Sequence, residues 1–274
     1  MRFERRHLEA FQTRDGWILA ATSADGLGYR TYLSGADEQS ICEAYSDTLV
    51  WHRMVGRGVL AVTSDTYGCV PAETELFNAK RCLLAVRNGE SVEAAYDWVF
   101  HHQAFGVDGV LIFDQAAPGE DLRFATELEA RLQAMGEAAP LVLYVMASRP
   151  VGQSDAPDAR LAAAAPAAPA HVRQQPQAPD PWHSAFEETI LLEALRRQFL
   201  GEAASVAFLN ISDLLLTGRQ GETAFDRAEE LPGRCYLLEG KEYYPWRLRK
   251  GGTRHVDHIH LRRDEARKVT RWCV

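Results

Sequence analysis

The sequence predicts an α/β protein with three layers, a mainly parallel sheet and an antiparallel margin. Short apolar runs at residues 83–86, 111–113 and 141–145 are bounded by glycine or charge and suit strands buried on both faces. Segments with helical spacing of apolar residues separate those runs, and the resulting βαβαβ alternation is the pattern of helices packed on a parallel sheet. Toward the end of the chain the pattern changes to short apolar runs punctuated by turns, which gives the antiparallel margin.

Residues 1–80 read as a β-rich extension or accessory domain, or as strands added to the main sheet. Residues 17–22 (WILAAT) and 28–33 (GYRTYL) flank a turn-like Ala24-Asp25-Gly26 and predict a hairpin, and 58–63 (GVLAVT) predicts another strand. A boundary is expected within 71–78.

The central unit is 83–114. Between its two apolar runs Val92, Ala95, Tyr96, Val99 and Gln103 recur at helical spacing, with Trp98, His101, His102 and Phe105 on the adjoining stripe. His101 and His102 are expected to pack beside Trp98 and Phe105. A crossover of this length favours parallel strands, so Arg87-Asn88-Gly89 and Asp114 fall on one edge, at the strand carboxyl ends where ligands bind in open α/β sheets. Phe124, Leu128, Leu132 and Met135 predict the next helix, and 141–145 the next strand.

Residues 150–181 hold seven of the twelve prolines, with an alanine-rich run, and read as a disordered insertion. Ser184 and Glu187 form a capping-box signature ahead of a stripe of Leu191, Leu192, Leu195 and Phe199, and Gly201 ends that helix. An apolar strand from Ser205 then runs into Asn210-Ile211-Ser212-Asp213. Residues 235–238, 243–246 and 255–261 predict antiparallel strands. Within the last of these, alternation puts His258 and His260 on one face and His255 opposite, an awkward set for zinc.

With 274 residues and 46% hydrophobic content the chain can bury a sizeable core. No stretch approaches the roughly 18–20 apolar residues of a membrane span, and the start MRFERRHLEAF lacks the apolar core of a signal peptide, so a cytoplasmic protein is expected. Five scattered cysteines without a CxxC predict reduced thiols. The net charge of −8 argues against general nucleic-acid binding, although residues 247–274 carry nine Arg or Lys against three Asp or Glu. Nucleophile-elbow, Walker and dinucleotide-binding glycine motifs do not occur, which disfavours serine hydrolase, ATPase and nicotinamide chemistry.

RNGE at 87–90, DWVFHHQAFGV at 97–107 and LIFDQ at 111–115, followed downstream by FLNISDLLL at 208–216, resemble in order and spacing the landmarks of family 92-type glycosyltransferases and their bacterial relatives in the family 2 group. The resemblance covers residues 81–274. It implies a GT-A fold, a nucleotide-diphospho-sugar donor and a carbohydrate or glycoconjugate acceptor. By position, Asp114 would face the nucleobase, with Arg87, Asn88 and Glu90 near the nucleoside. Asn210 and Ser212 stand where the family has two aspartates holding a divalent metal, manganese or magnesium, and Asp213 stands at the family's glutamate as the catalytic carboxylate. Arg247 and Arg249, with Lys250 and Arg254, are cations that would replace a metal against the diphosphate. Because neutral residues occupy the metal positions, the resemblance also admits a catalytically degenerate module that binds a saccharide, a nucleotide or a protein partner.

Overall fold

The computed structural model describes residues 2–8, 11–12, 17–21, 41–44, 49–53, 60–62, 65–67, 70–116, 119–120, 122–147, 182, 188–241, 243–245, 255–261 and 270–274. The chain is α/β. Its strands are β1 (Phe3–Leu8), β2 (Phe11–Gln12), β3 (Trp17–Ala21), β4 (Ile41–Ala44), β5 (Leu49–Arg53), β6 (Leu60–Val62), β7 (Asp65–Tyr67), β8 (Val70–Pro71), β9 (Arg81–Val86), β10 (Gly109–Asp114), β11 (Leu141–Ala147), β12 (Ser205–Phe208), β13 (Tyr236–Glu239), β14 (Tyr243–Pro245), β15 (His258–Leu261) and β16 (Thr270–Cys273). The α-helices are α1 (Val92–Gln103), α2 (Arg123–Gln133), α3 (Glu188–Phe199) and α4 (Ala224–Glu230).

Seven strands form the main sheet in the order β1-β11-β10-β9-β12-β16-β13. The first five are mutually parallel; β16 runs antiparallel to β12, and β13 antiparallel to β16. From β9 the chain steps through β10 to β11 on one side, and then returns to place β12 on the other side of β9. The topological switch point therefore lies beside β9.

Alternation along each strand builds two cores. Leu84, Val86, Leu111, Phe113, Leu143, Val145 and Phe208 face α3 and the 3-10 turn Thr74–Phe77. Leu83, Ala85, Val110, Ile112, Val142, Tyr144 and Ala207 face α1, α2 and α4. From Cys82 to Val86 every side chain of β9 is buried, as a parallel strand covered on both faces requires. Leu83, Leu84 and Val86 each contribute about 1.5–3 kcal/mol of transfer free energy. Ser91 caps α1, its Oγ accepting from the Ala94 N–H at 3.2 Å.

Two expectations about residues 1–80 are refined. β1 belongs to the main sheet, paired in parallel with β11; its Arg5 reaches Glu129 on α2 at 2.9 Å while Arg6 reaches Glu73 at 3.1 Å. β3 pairs with β2 and β5 inside a separate five-stranded sheet ordered β4-β5-β3-β2-β8, and residues 28–33, the predicted hairpin partner, lie outside the described residues. β6 falls within the run predicted at 58–63 and pairs with β7. The proline-rich insertion and the Ser184–Glu187 cap also lie outside the described residues. At the end of the chain β13 joins the main sheet through β16, a strand not foreseen in the basic tail, whereas β14 and β15 make their own antiparallel ribbon. His255 sits in a 3-10 turn, His255–Asp257, ahead of β15.

At the amino edge of the sheet Arg81 holds α4 in place: its Nη2 donates to Asp226 at 2.8 Å and to Glu229 at 2.7 Å, and Ser205 Oγ donates to Glu229 at 2.8 Å. Nearby, Gly109 opens β10 against Phe77 and Cys82; a Cβ there would meet Phe77 Cδ1 at 2.5 Å and Cys82 Sγ at 2.7 Å. Gly109→Ala is expected to overpack this junction and to cost about 1–3 kcal/mol in urea unfolding, whereas an unchanged midpoint would mean that the neighbouring side chains yield freely.

Candidate functional site

The carboxyl edge of β10, β9 and β12 carries the candidate site. Phe113 is in register with Val86 and Phe208 with Leu84, and the Leu209 N–H extends the ladder by donating to the Leu84 carbonyl at 3.1 Å. The two polar strand tips, Asp114 and Asn210, thus lie on one edge of one sheet with β9 between them. Neighbouring strands are spaced about 4.8 Å apart, so the tips stand about 10 Å from each other across the end of β9. Arg87 follows directly from that central strand.

Asp114 is 5% exposed and is engaged. Its Oδ2 accepts from Arg87 Nη1 at 2.7 Å and from the Tyr144 hydroxyl. The Arg87 guanidinium lies over the Phe124 ring at 4.0 Å, and its Nε donates to the Glu90 carbonyl at 3.4 Å. Burial, with Asp114 alongside, pushes the Tyr144 phenol well above its ordinary range, so it serves as a permanent donor. Asp114, expected to face a nucleobase, is placed here holding Arg87 against an aromatic platform.

The β9–α1 turn is compact. Gly89 takes φ +86°, and the backbone N–H of Asn88 donates to Glu90 Oε2 at 2.6 Å. Burial raises the Glu90 carboxyl from its usual range, opposed by that bond and by Arg87. The Asn88 side chain is exposed at the rim, its amide reaching back to the Val86 carbonyl at 3.4 Å.

The second tip is a turn. The Asp213 N–H donates to the Asn210 carbonyl at 2.9 Å, and the Asn210 N–H donates to Asp213 Oδ2 at 3.0 Å. The same Oδ2 accepts from Arg271 Nε at 2.6 Å, and the Arg271 guanidinium lies 5.6 Å from the Phe208 ring. Ser212 is exposed and Asn210 half-buried. Hard dications favour several anionic oxygens. Here the two leading positions are neutral, and the one carboxylate is matched by a guanidinium, so this donor set does not fit manganese or magnesium. Among the described residues no group of three or more His, Cys, Asp or Glu is arranged to hold a metal ion. Arg247, Arg249, Lys250 and Arg254 lie outside the described residues.

Beyond the turn, histidines hold the backbone of residues 211–215, Leu215 from α1 and Ile211 from the turn His255–Asp257. His101 Nε2–H donates to the Leu215 carbonyl at 2.8 Å, while the Leu215 N–H donates to His102 Nε2 at 3.1 Å. That acceptance fixes the proton of His102 on Nδ1, which donates to the Trp98 carbonyl at 2.7 Å. His255 Nε2–H donates to the Ile211 carbonyl at 2.9 Å. The two helix histidines pack as expected, but together they hold both polar groups of one peptide unit. Sequence reasoning missed Tyr144, Phe124 and Arg271 as members of the site. Tyr144 offered one signal, the lone hydroxyl in an apolar run.

Compared with family models, curated proteins and solved structures, the chain gives no match. Among the described residues no helix is long and apolar enough to cross a membrane.

Burial depresses the His102 imidazole from its ordinary 6.5 to about 3, with His101 and His255 adding to the effect. Between those values the unfolded chain binds a proton that the folded chain refuses. The contribution of this group is complete above about pH 6.5 and is lost at about 1.4 kcal/mol per pH unit as pH falls below it. His102→Ala, which leaves the Leu215 N–H without its acceptor, is expected to cost about 1–3 kcal/mol at pH 7.5. It also removes about 1.4 kcal/mol of the stability difference between pH 7.5 and 5.5. Urea unfolding followed by tryptophan fluorescence at the two pH values tests both, and an identical pH dependence in the two proteins would refute the assignment.

Proposed function

We propose that this chain is a glycosyltransferase-like protein. It takes a nucleotide-diphospho-sugar at the carboxyl edge of β9, β10 and β12 and transfers the sugar to a carbohydrate or glycoconjugate. One observation carries the reading: the two strand tips singled out by the family 92-type resemblance flank the same central strand, at the switch point where α/β sheets open a crevice. In a GT-A-like arrangement the nucleoside lies against the Arg87–Glu90 turn. Asp114 and Tyr144 orient Arg87, and Asn88 offers amide contacts at the rim. The diphosphate lies toward Asn210–Asp213, where charge grows as the glycosidic bond breaks and needs stabilising donors.

A second reading rests on its own observation. Asp213, the carboxylate assigned to catalysis, already accepts from the Asn210 N–H and from Arg271. That occupancy favours a module that binds a nucleotide or saccharide without turning it over.

Isothermal titration with nucleoside diphosphates, with and without manganese, tests the shared part of the two readings. Binding is expected, and Arg87→Ala is expected to weaken it about tenfold or more, as loss of a charge-assisted contact does. Release of the sugar from a bound nucleotide-diphospho-sugar, alone or to an added oligosaccharide, then favours the enzyme; tight binding without turnover favours the module. No binding in either condition would abandon the donor-site assignment in both readings.

A further inference from the structure

The segment after the second strand tip is held by groups that can take up a proton. Residues 211–215 lie in no helix or strand, and three histidine bonds tie their backbone to other elements. Two of these bonds survive acid, because His101 Nε2–H and His255 Nε2–H donate to carbonyls and an imidazolium donates as well as an imidazole does. The third does not. His102 has its one proton on Nδ1, committed to the Trp98 carbonyl at 2.7 Å, and its bare Nε2 accepts the Leu215 N–H at 3.1 Å. A proton on Nε2 would set one N–H against another, so His102 cannot become charged while Leu215 stays in place.

The placement of the ring makes the relief local. His102 is fully buried, with one nitrogen turned to its own helix and the other to Leu215. Leu214 and Leu216, on either side, are exposed, so over Nε2 the protein is a single chain thick. Lifting Leu215 wets that nitrogen, and neither α1 nor the sheet has to move.

The charges around the latch leave it intact at neutral pH and oppose a charged His102. Burial is the main reason that His102 refuses a proton, and His101 and His255 add to it. Burial also lowers the His255 imidazole, with His258 and His101 in support and Asp97 of α1 against. Its Nδ1 is buried with no hydrogen-bond partner among the described residues, so a proton there would have no acceptor. On the segment itself, Asp213 is paired with Arg271.

We propose that residues 211–215 form an acid-released latch, in which protonation of His102 frees Leu215 from α1 and withdraws the chain beside the second strand tip while the sheet stays folded. The consequence for a ligand rests on the crevice reading given above; the latch itself does not.

Hydrogen–deuterium exchange of the full chain at pH 7.5 and 5.5 tests it, read by mass spectrometry on peptides covering 209–217 and 81–86 and corrected for the intrinsic pH dependence of amide exchange. The segment is expected to be less protected than β9 at both pH values and to lose about tenfold in protection at pH 5.5. That ratio follows when the closed form refuses a proton that the open form takes up at its ordinary 6.5. His102→Gln keeps an acceptor oxygen for the Leu215 N–H and does not titrate, so its segment is expected to be equally protected at both pH values. Circular dichroism shows whether this variant folds, and if it does not, the comparison within the native protein decides. Segment protection equal to that of β9 at both pH values means that the segment opens only with the whole protein, and overturns the inference. Native protection unchanged between the two pH values, or a fall that persists in folded His102→Gln, overturns it as well. None of these outcomes touches the nucleotide reading, which titration with nucleoside diphosphates judges separately.

Discussion

The structure depends on a central strand from which water is excluded on both faces. Cys82 to Val86 are all buried, with α3 below and α1 above, and any polar side chain within that run would need a partner the cores do not provide. Polar groups are therefore confined to the ends of the strand. Arg81 begins it and Arg87 follows it, each drawn into carboxylates carried by neighbouring elements. The apolar interior makes the two edges of the sheet chemically distinct from the rest of the molecule. It also gives the carboxyl edge a rigid base, since moving Arg87 means moving a strand buried on both faces.

Arginine and carboxylate are paired at both tips of the candidate site, and in each case an aromatic ring lies beside the guanidinium. At the first tip the group is Arg87, Asp114 and Phe124; at the second it is Arg271, Asp213 and Phe208. The two differ in burial. Asp114 lies within the sheet and has a second donor in Tyr144, so the first pair is a fixed internal brace. Asp213 sits on a turn and is more open than Asp114, while Arg271 is somewhat more buried than Arg87, so at the second tip the carboxylate is the member nearer solvent. Partly exposed charge pairs add little stability on their own, and their value here lies in orientation.

Much of the α/β frame is legible in the sequence because its signals are local. The run LLAV, the helix stripe through Ala95 and Val99, the run LIF and the stripe through Leu191, Leu195 and Phe199 each state their structure within a dozen residues. β1 gave no strand signal because FERRHL places four consecutive charged or polar residues between Phe3 and Leu8, and its arginines are engaged by ion pairs made in the fold. β16 was hidden because it is only four residues long and follows a basic stretch, and its pairing is made with β12 and β13. The site divides the same way. The strand ends at Asp114 and Asn210 follow from where apolar runs stop, whereas Tyr144 and Arg271 meet them through pairings with strands 30 and 58 positions away. Register of that kind is set by the whole sheet, and a single stretch of sequence does not contain it.

His101 and His102 show how a helix can stand in for a missing strand neighbour. Consecutive residues near its end offer an N–H and an acceptor nitrogen to the carbonyl and amide of Leu215, the same two bonds an adjoining β-strand would supply. The peptide is pinned at a point and not along a line. The chain on either side of Leu215 is thereby relieved of any periodicity, so its length and composition are open to change without loosening the anchorage of the loop.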